Sequence, residues 1–436
     1  MTAHLALSVR IDFGADPTST VGTQLVGSVT AVGSGAVFEG LLVPAGLNVK
    51  PLTIEVPPGE YLCEVVMPSG NLLNAFVGVE SGETLPIEFD AADSPHEGYA
   101  WQRLSGNVES RSFESKRRVT GLATKQFFSD RPATLQSQDA APVMRPVVGW
   151  IGAPAPASFS WTDLNELART QGIADRDQLL TQLSNQGWLV VDPVDEDEGT
   201  ALYRFTRTGS VAAPADQNTA GSRRFALVSG GVNAYLVTLP VPWIDPESGI
   251  DMPAEIMVEH RPSHRGSPIS VTVRDPKLGS GLAYLAKGSL HEAAKVFSNA
   301  EDMLFDKMVN PIGAAAGAYV LVGANSGEDV RWHGWVSNLK QFHEWLPDGA
   351  ILWATLKLRL AKDEASIETA RAELLEAYGR GVPLYTLGLQ WLVDGLSGFA
   401  EDDAASKEAL AEVRRLARRV DMGQPFVVLR LNGVSR

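Results

Sequence analysis

The chain has 436 residues, 44% hydrophobic and 20% charged, an ordinary globular balance with room for about two to four domains. Its formal net charge of -15 opposes non-specific binding to nucleic acid or to an anionic membrane, since both need clustered Lys and Arg. The single cysteine, Cys63, excludes an internal disulfide and a cysteine-based zinc site and fits a reducing compartment.

Residues 1–92 carry short period-two runs at 4–12, 36–43 and 60–66, punctuated by Pro57-Pro58-Gly59 and Pro68-Ser69-Gly70 and continued at 72–79 and 84–89. Evenly spaced short strands predict a β-sandwich. The phrase PPGEYLCEVVMPSG also resembles small β-sandwich modules that serve as binding or spacer domains. Residues 93–145 are rich in Ser, Gln, Asn, Gly and Pro and read as a linker, in which Lys116, Arg117 and Arg118 form a candidate cleavage site for a trypsin-like or arginine-directed peptidase.

Over 146–215 the pattern is two helices, at 161–170 and 175–186, then strands at 188–191 and 201–206 around the acidic turn Asp195-Glu196-Asp197-Glu198. Two helices followed by a hairpin predict a winged-helix-like α/β unit. Nine Asp and Glu stand against four Arg between 161 and 209, and the expected wing tip carries carboxylates where phosphates would sit, so DNA is a poor ligand for it. Residues 216–288 read as a β-rich unit with strands at 224–228, 234–239, 254–259, 269–274 and 282–286, prolines at their ends, and Gly279-Ser280-Gly281 as a turn.

Helices then dominate 289–436. Asn310-Pro311 is an N-cap followed by Pro at the first helical position, and Gly313 and Gly317 lie four apart on one face, which suits close approach by a neighbour. Trp332, Trp335, Val336, Leu339 and Phe342 make an amphipathic stripe. Leu346-Pro347-Asp348 starts another helix with Asp348 against the macrodipole, and its apolar residues from 351 to 360 point almost all round, as a central helix requires. A stripe at Ile367, Ala370, Leu374, Leu375 and Tyr378 ends at Gly379 and Gly381, Pro383 opens the next helix, and a last one spans 404–420 with Arg414, Arg415, Arg418 and Arg419 at its negative end. Residues 425–431 read as a terminal strand added to the edge of a sheet. The whole predicts a helical-hairpin domain.

The strings NPIGAAAGAYVLV, RWHGWVSNLKQFHEWLPDGAIL and YGRGVPLYTLGLQWLVDGL resemble the helical C-terminal region of uncharacterised bacterial conflict-system accessory proteins, associated with caspase-like (CHAT-type) peptidases. The resemblance covers the last third of the chain and brings no catalytic residues with it. It implies an accessory, partner or substrate of such a peptidase.

Residues suited to chemistry do not assemble into a motif. Cys63 lies in a strand between apolar neighbours, only His4 precedes it, and the reading is a core thiol. His260 and His264 are four apart, but Pro262 places them in a loop, so a metal-dependent hydrolase there is an alternative and no metal or cofactor is expected. His333 and His343 read as structural. No Walker A loop, GxSxG elbow or HExxH is present. Trp332, Trp335, Phe342 and Trp345 are the candidate partner-binding residues, because Trp is favoured at the energetic centres of interfaces.

The expectation is therefore an α+β multidomain protein that is not an enzyme: a protein-interaction adaptor of a bacterial defence system, partner or proteolytic substrate of a caspase-like peptidase, with no nucleic acid or membrane partner. A DNA-binding regulator acting through 146–215 is the other alternative. The amino-terminal residues lack the apolar core of a signal peptide and the soft apolar run 314–324 is too short to span a bilayer, so a cytoplasmic location is expected.

Overall fold

A computed structural model describes residues 2–11, 23–91, 147–151, 161, 189–196, 200–206, 224–230, 233–245, 248–260, 268–273, 275, 278–324 and 331–431. The mixed α+β character holds, with strands gathered in sheets and a helical C-terminal region. The expected linker with Lys116, Arg117 and Arg118, and all but Trp161 of the two helices expected over 161–186, lie outside the described residues.

Seven strands open the chain: β1 (Ala3–Arg10), β2 (Thr23–Ala31), β3 (Val37–Ala45), β4 (Leu52–Val56), β5 (Gly59–Val66), β6 (Leu72–Val79) and β7 (Thr84–Asp90). They share one sheet in the order β4-β1-β3-β2-β5-β6, with β7 on β1. β1 runs parallel to β7 along its length, while its other edge pairs with β4 as far as Leu7 and meets β3 at Val9. Leu5, Leu7 and Val9 alternate inward, as period-two residues must, and join Leu25, Val29, Cys63 and Val65 in the core.

Two smaller sheets and a short ribbon follow. The first sheet, β18-β13-β12-β8-β9, comprises β8 (Val147–Ile151), β9 (Leu189–Val191), β12 (Arg224–Gly230), β13 (Asn233–Leu239) and the terminal β18 (Val428–Leu431). The second, in the order β10-β11-β16-β17, comprises β10 (Asp195–Glu196), β11 (Thr200–Phe205), β16 (Ala254–Glu259) and β17 (Ile269–Val273). The ribbon pairs β14 (Trp243–Ile244) with β15 (Asp251–Met252). The winged-helix hairpin expected between 188–191 and 201–206 is corrected here, because these strands belong to different sheets. Pro193 interrupts the chain after β9, and Asp195 and Glu196 pair with β11 instead. Both sheets draw strands from either side of residue 215, so the expected division there runs through them.

The five-stranded sheet explains its own sequence. Phe225, Leu227, Leu236 and Leu429 point to one core cluster, whereas Ala226, Val228, Val237 and Val428 point to another. A sheet buried on both faces needs near-continuous apolar strands, and RFALVSG and NAYLVTL are of that kind. β18 adds antiparallel to β13, as the apolar run at 425–431 predicts.

The described helices are α1 (Gly279–Ala286), α2 (Leu290–Val296), α3 (Ala300–Phe305), α4 (Pro311–Ala324), α5 (His333–Phe342), α6 (Pro347–Leu360), α7 (Glu364–Gly379), α8 (Thr386–Ser397) and α9 (Ala404–Ala417). α1 replaces the strand expected over 282–286, and Gly279-Ser280-Gly281 is its buried first turn, with Gly281 pressed on the Phe297 ring where any larger residue would clash. Tyr284 of α1 docks the helices on the seven-stranded sheet: its hydroxyl donates to the Val66 carbonyl of β5 at 2.5 Å and accepts from the Val26 amide of β2 at 3.2 Å. α4 is apolar all round and almost wholly buried. Asn310 caps it by accepting from the Gly313 amide at 2.8 Å, and a Cβ on Gly317 would lie 2.7 Å from the Ala300 carbonyl oxygen, so α3 and α4 are in backbone contact there.

Asp348 is the joint of the helical body. It is 0% exposed, opens α6, and accepts from the Tyr319 hydroxyl of α4 at 2.8 Å and from the amides of Leu384 and Tyr385 at 2.7 and 3.1 Å, just ahead of α8. The Tyr385 hydroxyl in turn donates to the Ile312 carbonyl at 2.8 Å. Burial and the neighbouring carboxylate hold both phenols well above their usual range, so they remain protonated donors. Gly388 leaves the space, since a Cβ there would overlap the Tyr319 hydroxyl and sit 2.9 Å from Asp348 Oδ1. A fully partnered buried carboxylate of this kind ties three helices into one arrangement.

Candidate functional site

The amphipathic stripe of α5 does not point wholly inward. Val336 and Leu339 are buried, Trp335 is half-buried, and Phe342 at the helix end is 56% exposed. The turn after α3 lies beside it, because the His343 ring is hydrogen-bonded to the Lys307 backbone carbonyl. From that turn Phe305, Met308 and Val309 stand out at 61%, 67% and 45% exposure. Two adjoining segments thus each present large exposed apolar side chains, and they meet where the Trp335 ring packs edge-on against that of Phe305 at 5.3 Å.

Cations frame and underlie this patch. The Arg331 guanidinium lies 5.4 Å from the Trp335 ring centre and pairs with Glu301 at 3.0 Å. Lys307, 6% exposed, places its ammonium 5.9 Å from the ring centres of both Phe305 and Trp335. Its hydrogen bond is a long one, 3.4 Å to the Phe305 carbonyl, and no described carboxylate lies within ion-pair distance. Burial pushes this ammonium below the usual lysine range, opposed by the charge of Asp306.

His343 is 8% exposed, and burial together with the Lys307 charge pushes its imidazole down. The neutral ring gives one N–H to the Lys307 carbonyl, which leaves Nε2 as a buried acceptor without a partner among the described residues. Lys340 on the same helix differs: it pairs with Glu373 and, at 2.7 Å, with Glu376 of α7, so it fixes α5 in place and is not available to a partner.

Of the sequence-predicted partner-binding residues, Trp335 and Phe342 stand in the patch. Trp345 is half-buried against the His343 ring at 6.2 Å, and Trp332 is 1% exposed and belongs to the core. Phe305, Lys307, Met308 and Val309 carry no signal in the sequence, because a six-residue helix and its exit turn show no stripe to count.

The other candidate chemistry is dispersed. Cys63 is 0% exposed in β5 and burial pushes its thiol up to about 11, which keeps it protonated. His260 follows the end of β16 and His264 lies outside the described residues. Among the described residues no three His, Cys, Asp or Glu are placed to share a metal ion, and no described helix is long and apolar enough to cross a membrane. A shallow apolar cleft lies under Trp161, lined among others by Phe225, Leu236, Leu389, Leu416 and Leu429, and its one hydroxyl, on Thr238, is already engaged with the Leu384 and Val427 carbonyls. It offers nothing to orient a ligand.

Residues 280–428 match the family model of the Y4kD C-terminal domain. The match begins inside α1, takes in every described helix and ends at the first residue of β18, so the family's unit is this helical body. No curated protein and no solved structure matches the chain.

Proposed function

We propose that the chain is a protein-interaction adaptor that docks its partner on the aromatic patch of the helical body. The observation that carries this reading is the exposure of Phe305, Met308 and Val309 at the exit of α3 and of Phe342 at the end of α5, on two segments that meet at the Phe305–Trp335 ring contact. Scattered surface apolar residues need no explanation, but large exposed apolar side chains on two segments in contact have the composition of an interface centre. The resemblance of the C-terminal third supplies the partner class: a caspase-like peptidase of a bacterial defence system, which binds this chain in the cytoplasm or cuts it at Lys116, Arg117 or Arg118.

The test is a titration of the purified chain against a bacterial caspase-like (CHAT-type) peptidase, followed by calorimetry and by electrophoresis for cleavage. A complex is expected, and Phe342→Asp should weaken it at least tenfold, about 1.4 kcal/mol or more, since a charge would replace an exposed ring. Absence of both complex and cleavage, or a complex indifferent to Phe342→Asp, would count against the reading.

A further inference from the structure

Under the patch the structure holds two polar groups that a finished interior would have satisfied. An ammonium has three N–H donors and takes its strongest partners from carboxylates. That of Lys307, on a side chain only 6% exposed, has one long carbonyl contact and rests otherwise on the rings of Phe305 and Trp335. Beside it, His343 Nε2 is an acceptor with no donor among the described residues. Other cations on or against α5 do have anionic partners: Lys340 with Glu373 and Glu376, Arg331 with Glu301, and Arg380, which donates to the Lys340 carbonyl, with Glu376. The lack is local to Lys307.

We infer that the floor of the aromatic patch is a carboxylate-binding notch, whose occupant is a partner polypeptide segment presenting an Asp or Glu side chain to Lys307, a backbone N–H to His343 Nε2, and large apolar side chains to Phe305, Met308 and Phe342. This rests on the docking reading above and adds the chemistry of what docks. Charge complementarity selects the occupant. A purely apolar partner would seal the ammonium from water with no counter-charge, a loss that grows with the fit, whereas a carboxylate brings the missing acceptor into a low-dielectric site. Phe305 is the movable gate, because more than half of its surface is in solvent and its neighbours in the patch are a ring edge and the Lys307 ammonium.

A phage-displayed library of random peptides panned on the full chain tests this with no partner in hand. Enriched peptides should share an Asp or Glu flanked by large apolar residues. A synthetic copy followed by fluorescence polarisation should lose at least tenfold in affinity on Lys307→Met or on Asp→Asn in the peptide, with little further loss when both changes are combined. Peptides enriched without an acidic residue but lost on Phe342→Ser would leave the docking surface standing and overturn the notch. Acidic peptides that bind Lys307→Met equally well would also overturn it. No enrichment, or enrichment indifferent to Phe342→Ser, would remove the docking surface itself. Lys307→Met should fold with an unchanged or higher Tm, and a Tm several degrees lower would show the ammonium already satisfied within the chain and overturn the proposal.

Discussion

Asp348 and Lys307 are both buried charges in the helical body, and they differ in what surrounds them. Asp348 is met by a hydroxyl and two backbone amides, shielded on every side, with a glycine keeping the space open for them. Lys307 has one long contact to a carbonyl and lies under the exposed Phe305 ring and the half-buried Trp335 ring. A buried charge with a full set of partners is a joint, costly to alter because each neighbour has been placed for it. A buried charge short of partners at the surface destabilises the free chain and is an opening for something else.

Substitution separates the two cases by size and sign. Asp348→Asn should be the most damaging, at about 3 kcal/mol, because its amide N–H₂ would face donors that now point at oxygen. Denaturant titration would read this as a lower midpoint with unchanged slope. Gly388→Ala should follow at about 2 kcal/mol, since neither the Tyr319 hydroxyl nor Asp348 can move aside. If Gly388→Ala were silent, the joint would be looser than its hydrogen bonds imply.

The smallest effect belongs to the other region. His343 has a folded pKa below its unfolded one, so the unfolded chain takes up the proton first as pH falls below about 6.5. The folded state therefore keeps its full margin above that pH and loses part of it as pH drops toward the folded value. His343→Gln should flatten the stability profile below about pH 6.5 and leave it unchanged at about pH 8. An equal loss at both pH values would show that the ring matters for packing alone.

Much of the helical body is legible in the sequence because its signals are local. The Asn310-Pro311 start, the apolar girdle of α6, the prolines at the start of α6 and ahead of α8, and the Arg-rich end of α9 each follow from cap chemistry or 3.6-residue periodicity. β18 is legible as well, since an apolar run at this position has few uses besides completing a sheet. β2 is not, because Gly27 and Ser28 break its alternation. They sit at an irregularity in register, where Gly27 lets Glu64 of β5 approach so closely that a Cβ would lie 2.8 Å from its carbonyl oxygen. α1 reads as a turn and strand because a short, fully buried segment has no polar face to set its period. The candidate site is half visible: Trp335 and Phe342 lie on a countable stripe, but Trp332 on the same stripe is core, and the residues after α3 show no pattern at all.

By itself, the order of residues determined where the longer helices from α4 onward begin and end, which strands are apolar on both sides, and that Cys63 belongs to an interior, because these depend on neighbours within a few positions. Tertiary structure decided which strands share a sheet, which tryptophans are covered, and that Lys307 is buried without a described anion, because each depends on residues far away in the chain arriving, or failing to arrive, at the same point in space.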